Sequence, residues 1–189
     1  MSRTLWAALL ALSLLAGCAP HAREPDQMDL VRVLGVDGSG PVQIMGVCGK
    51  TEEQEPVQGS ASGDDFPQAL ACLPWVGQKE LALTHLSHVI VGDGAALQDV
   101  LEVLAADRRL SVTAALWQGA EARTLLEDCE DPFQRLELLV QGGANPPTVA
   151  QVLADLVAGK PVELPRLVKE DGVLRMVGEA LWCREEEEH

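Results

Sequence analysis

Tyrosine is absent from this sequence, and aromatics as a class are rare: two phenylalanines and four tryptophans in 189 residues. Any core must therefore be aliphatic, and leucine, valine and alanine dominate the 47% of residues that are hydrophobic. Basic residues are also few, 14 against 29 aspartates and glutamates, for a formal charge of −15. That balance excludes nucleic acid as a partner, because phosphates are held by clustered lysine and arginine. It also opposes adhesion to anionic lipid, so membrane attachment would have to be covalent or inserted. No C-x-x-C pair occurs, which removes zinc-ribbon and thioredoxin-like chemistry. There is no internal repeat and no hydrophobic span beyond the first residues.

Those first residues are the most legible segment. Arg3 provides a short positive region and Leu5 to Leu15 an apolar one. The run is too short to cross a bilayer as a mature helix and reads as a signal peptide. It closes on Leu15-Ala16-Gly17-Cys18, which is similar to the lipobox of bacterial lipoproteins, with Cys18 as the acylation point. Acyl chains contribute about 0.8 kcal/mol per buried methylene, so two or more anchor a protein firmly. Residues 1–17 are thus expected to be removed and 18–28 to form a tether on the extracytoplasmic side. Of the remaining cysteines, Cys48, Cys72, Cys129 and Cys183, two disulfides could form in three connectivities. The reading adopted is that they are unpaired, since free cysteine also behaves as a small buried hydrophobe.

Downstream, the pattern predicts an α/β (α+β) fold, a mixed central sheet packed with amphipathic helices. Asp29 to Val36 reads as a strand, Asp37-Gly-Ser-Gly40 as a hairpin turn and Val42 to Val47 as the returning strand. Gly49 to Gly63 reads as a polar surface loop, and Asp64 or Asp65 caps a helix running to about Trp75. A central strand from about Glu80 to Val91 ends on the turn Gly92-Asp93-Gly94. Leu97, Val100, Leu101 and Leu104 form a helical stripe. Leu110 to Trp117 is expected as strand and Ala120 to Glu127 as helix. Asp131-Pro132 and Asn145-Pro146 each open a further helix with cap followed by proline. Pro161 to Lys169 is extended, and Val173 to Val177 pairs back after Asp171-Gly172.

Each chemical motif has a competing structural explanation. Gly46-Val-Cys-Gly-Lys-Thr51 imitates the end of a P-loop, but Ile44 stands where a glycine is required and carboxylates follow. Gly59-Ser-Ala-Ser-Gly63 resembles a nucleophile elbow with alanine at the nucleophile position. His85 and His88 form H-x-x-H; on a strand, residues three apart point to opposite faces. A zinc site there would need a third ligand, for which Asp93 and Glu80 are the near candidates. Asp37, Asp93 and Asp107 are more simply turn or cap residues than acids or bases. The acidic run Glu185 to Glu188 reads as a solvated end. No catalytic residue, cofactor or metal is expected.

Several of these pieces, in this order, resemble one family. Cys18 followed by Arg23-Glu24, the strand end Leu34-Gly-Val-Asp37, the run from His85-Leu86 to Val91-Gly92-Asp93 and the junction Asp107-Arg108-Arg109 are similar to the Ger(x)C lipoproteins, the C subunits of spore germinant receptors. The strand Val112 to Trp117 and the helix Ala122 to Leu126 continue the likeness. The sequence departs from it at Ala19-Pro20, where the family has an aromatic-acidic pair, and at Asp93, where it has glutamate. The resemblance implies a membrane-anchored, non-enzymatic subunit involved in spore germination, held on the spore inner membrane beside A- and B-type membrane subunits. It also implies that residues 29–160 are the N-terminal domain and 161–189 the truncated start of a second. Two other expectations stay open: an extracytoplasmic solute-binding lipoprotein, and a metal-dependent hydrolase built on His85 and His88.

Overall fold

The structure, a computed structural model, describes residues 28–49, 57–73, 80–108 and 110–182. The expected signal peptide, the expected anchor Cys18 and the tether residues before Met28, together with Cys183 and the acidic run, lie outside them. The fold is α/β: one mixed sheet of eight strands in the order β3-β2-β1-β5-β6-β7-β8, with β4 paired to the start of β1. The strands are β1 (Met28–Asp37), β2 (Val42–Cys48), β3 (Gln58–Gly63), β4 (Glu80–Ala82), β5 (His88–Gly92), β6 (Ala115–Gly119), β7 (Val162–Glu170) and β8 (Val173–Trp182). β1, β5, β6 and β7 run parallel, and antiparallel strands flank them on both sides.

β5 occupies the middle of this order, and all five of its residues are buried. A strand covered on both faces has to be apolar throughout, and Val89-Ile-Val91 meets that demand. The expected long strand from Glu80 is, however, two strands. β4 pairs with Met28 to Leu30 of β1 and β5 with Val33 to Val36, separated by a turn at Thr84-His85. The turn is closed by Leu86 N–H donating to Leu83 O, and Ser87 N–H donates to Arg32 O. A break in register between Val31 and Val33, the signature of a bulge at Arg32, accompanies the change of partner.

Among the described residues five helices cover the sheet: α1 (Phe66–Cys72), α2 (Leu97–Ala106), α3 (Ala122–Leu126), α4 (Pro132–Gln141) and α5 (Val149–Val157). α1, α2 and α5 pack on one face over Leu34, Val36, Val89, Val91 and Leu116. α3 and α4 pack on the other over Val33, Ile90, Trp117 and Leu167. The caps follow local chemistry. Asp65 and Asp131 side chains accept from Gln68 and Gln134 N–H, each ahead of a proline in the first turn. α5 begins later than Asn145-Pro146 suggested, because Thr148 and Gln151 form a reciprocal capping box.

Three further expectations are corrected. Gln58 to Gly63 is not loop but the edge strand β3, paired along its whole length with β2. Its small residues let α1 approach: a Cβ on Gly63 would lie 2.5 Å from Ala69 N. The strand expected from Leu110 begins only at Ala115, after a turn at Val112-Thr113. Pro161 to Trp182, expected to open a second domain, completes the same sheet, with β7 parallel to β6 and β8 paired to β7.

Candidate functional site

In parallel α/β sheets, ligands settle outside the carboxyl ends of the strands. Here that edge is formed by Asp37, Gly92-Asp93, Gly119-Ala120 and Arg166, with α3 lying across it. A helix of five residues cannot persist by its own hydrogen bonds, and α3 is held from outside. Asp37 Oδ1 accepts from Ala122 N–H and Oδ2 from Arg123 N–H, both at 2.7 Å. At the other end Lys169 Nζ donates to the carbonyls of Thr124 and Glu127 at 2.5 and 2.6 Å. A carboxylate at the amino end and an ammonium at the carboxyl end both complement the helix dipole. The close seating requires glycine beneath: a Cβ on Gly92 would lie 2.0 Å from Asp37 Oδ1, and one on Gly119 2.3 Å from Leu125 Cδ1.

Asp93 is the centre of a second cluster. Arg166 grips it in bidentate fashion, NH1 to Oδ1 at 3.0 Å and NH2 to Oδ2 at 2.6 Å, and Gln118 Nε2 donates to Oδ1 at 2.9 Å. The Arg166 guanidinium holds the Asp93 carboxyl below its ordinary value, with Gln118 assisting and burial opposing. The amide oxygen of Gln118, Oε1, is buried without a partner among the described residues.

The two histidines are not brought together. His85 is exposed on the turn between β4 and β5, so the turn, not strand alternation, separates it from His88. His88 is 2% exposed. Its Nδ1 accepts from Trp117 Nε1 at 3.2 Å, which assigns the proton to Nε2, and Nε2 donates to Glu137 Oε1 at 2.9 Å. Phe133 flanks the ring, and Arg32 stacks on Phe133 at 4.1 Å from its centroid. Burial keeps the imidazole below its ordinary value, outweighing the upward pull of Glu137. His88 is thus a satisfied core histidine that ties β5 to β6 and α4. Glu80 lies on β4, and Asp107 follows α2 as its carboxyl-terminal cap residue.

An open cleft of about 580 Å³ lies beside α3, lined by Asp37, Gln43, Gly94, Glu121, Arg123 and Glu127. Arg123 is engaged with Glu127 and Gln43. Both oxygens of Asp37 and of Asp93 accept bonds within the fold. Among the described residues no three His, Cys, Asp or Glu side chains converge as a metal site, and no helix is long and apolar enough to cross a membrane. Cys48, Cys72 and Cys129 are free thiols; burial pushes Cys48 up to about 12. Sequence reasoning missed Arg166, Gln118, Lys169 and Glu137. The one available signal was an arginine between buried Leu164 and Leu167 in an interior strand. No family model, curated protein or solved structure matches the chain.

Proposed function

We propose that this chain is a lipid-anchored, extracytoplasmic α/β subunit without catalytic activity, working in a spore germinant-receptor assembly with A- and B-type membrane subunits. The observation that carries the non-catalytic part is the commitment of both carboxylates at the strand ends. Asp37 caps α3 and Asp93 is neutralised by Arg166, so the groups best placed for chemistry act as braces. The anchor rests on Leu15-Ala16-Gly17-Cys18, and the assembly on the dispersed family motifs. Several of those motif residues, Gly35, Asp37, Gly92 and Ala122 to Leu126, belong to one set of contacts around α3.

Cys18→Ala is expected to block processing and release the protein from membranes. Normal processing and unchanged membrane fractionation of that variant would refute the anchor. Co-purification of multi-span subunits with the tagged wild-type chain tests the assembly. The cleft beside α3 favours a second reading, a solute-binding lipoprotein, since its volume falls within the range of small-molecule sites, about 300–1,000 Å³. Its charged lining and lack of aromatics count against that reading. A ligand-dependent rise in melting temperature is the result that would promote it.

A further inference from the structure

We infer that His88 is a proton-operated switch between two partners. Neutral, it bridges β6 and α4; protonated, it gives up Trp117 of β6 and is held by α4 alone. Of the two buried polar side chains among the described residues, His88 and Gln118, only the histidine changes charge near neutral pH. Its present bonds use both nitrogens of the neutral ring. Nδ1 is the one acceptor and takes the Trp117 Nε1 proton at 3.2 Å, while Nε2 is the one donor and is spent on Glu137 Oε1 at 2.9 Å. The imidazolium has two donors and no acceptor. A proton arriving on Nδ1 therefore sets one N–H against another, and the contact with Trp117 turns from bond to repulsion. The contact with Glu137 changes the other way, into a charge-assisted bond.

The surroundings decide which way the ring goes. The Glu137 side chain is 41% exposed and Trp117 is fully buried, so a turn toward α4 is also a turn toward water. Water is the medium that best tolerates the charge. β6 has no titratable side chain between Ala115 and Gly119, and nothing on that strand favours the charged ring. β1 opposes it through Arg32, whose guanidinium stacks on Phe133 beside the histidine. Burial first, and Arg32 to a smaller degree, hold the ring below its ordinary value against the pull of Glu137. The switch is therefore set to turn over in mild acid, not at neutrality. Once released, the Trp117 N–H finds no acceptor on Val33, Ile90 or Leu167, which share its buried cluster. Water must reach it, or the indole must turn. Acidification thus loosens the packing around Trp117 first, and the α2 side of the sheet takes no part in the exchange.

The test follows the Trp117 indole N–H and the His88 ring in the full chain by NMR, from neutral pH downwards. Trp117→Phe and His88→Gln assign the two signals. The indole proton should move upfield and exchange faster with water in step with the ring titration, at a midpoint below 6.5. Amide signals of α2 should hold their positions through that step. Glu137→Gln keeps an acceptor for Nε2 but removes the counter-charge, and should lower the shared midpoint. Arg32→Gln removes a repelling charge and should raise it. Neither side chain is buried, so the fold should persist in both variants. A ring that titrates while the Trp117 signal stays unmoved would overturn the switch. So would a Trp117 signal that changes only together with the α2 amides, or midpoints that shift in the same direction in the two variants.

Discussion

On one face of the sheet, α1, α2 and α5 press Phe66, Leu101, Leu104 and Val152 onto valines and leucines of the strands. On the other face, α3 and α4 cover a smaller apolar set and are fastened by Asp37, Lys169 and the His88–Glu137 pair. The first face is secured by area. Each fully buried leucine contributes about 1.5–3 kcal/mol, independent of direction. The second is secured by a few directional contacts between residues far apart in the chain, each of small net value but costly to leave half-made. Stability should therefore be concentrated on the α2 face and sensitivity to conditions on the α4 face.

Three measurements sharpen or break that contrast. Leu104→Ala, which empties a site 1% exposed, should cost about 2–5 kcal/mol in urea unfolding. A loss below that of any substitution on the α4 face would reverse the ranking. His88→Leu leaves the Trp117 indole N–H without an acceptor and should cost about 1–3 kcal/mol. The same residue gives the α4 face a pH dependence. Because the fold disfavours the charged ring, the unfolded chain takes up a proton first. The contribution of His88 is complete above its ordinary value of 6.5 and is lost as pH falls below it. Unfolding free energy should decline on acidification from pH 7 to 5 in the wild type and flatten in His88→Leu. The smallest effect is expected from Asp37→Ala, about 1 kcal/mol for a lost cap. Hydrogen exchange should show faster opening of Ala122 and Arg123 amides with little change in α2.

The same contrast separates what was legible in the sequence from what was not. α2 and α5 announce themselves by apolar spacing, because their stabilisation is periodic and local. The two-residue turn Asp171-Gly172, with both residues at positive φ, and the Asp131-Pro132 cap are likewise written in adjacent residues. α3 is capped by an aspartate 85 positions away, and no pattern within a window can reveal such a partner. His88 looked like half of a possible site because its partners, Trp117 and Glu137, come from β6 and α4. The run Leu81 to Val91 read as one strand because apolar content records burial, whereas the turn at Thr84-His85 is set by which part of β1 each half pairs with. β3 was hidden for the opposite reason. Glycine, serine and alanine have little strand preference, and close packing of α1, not propensity, holds them extended.

The double clamp on α3 also has a mechanical meaning. Asp37 ends β1 and Lys169 belongs to β7, with β5 and β6 between them, so a single helical turn ties together strands about 14 Å apart. A load that slides β1 against β7 must either tear one of the clamps or carry all four parallel strands with it. The motif residues Asp37 and Ala122 thus work as a cross-brace, and the sheet behind them moves as a plate.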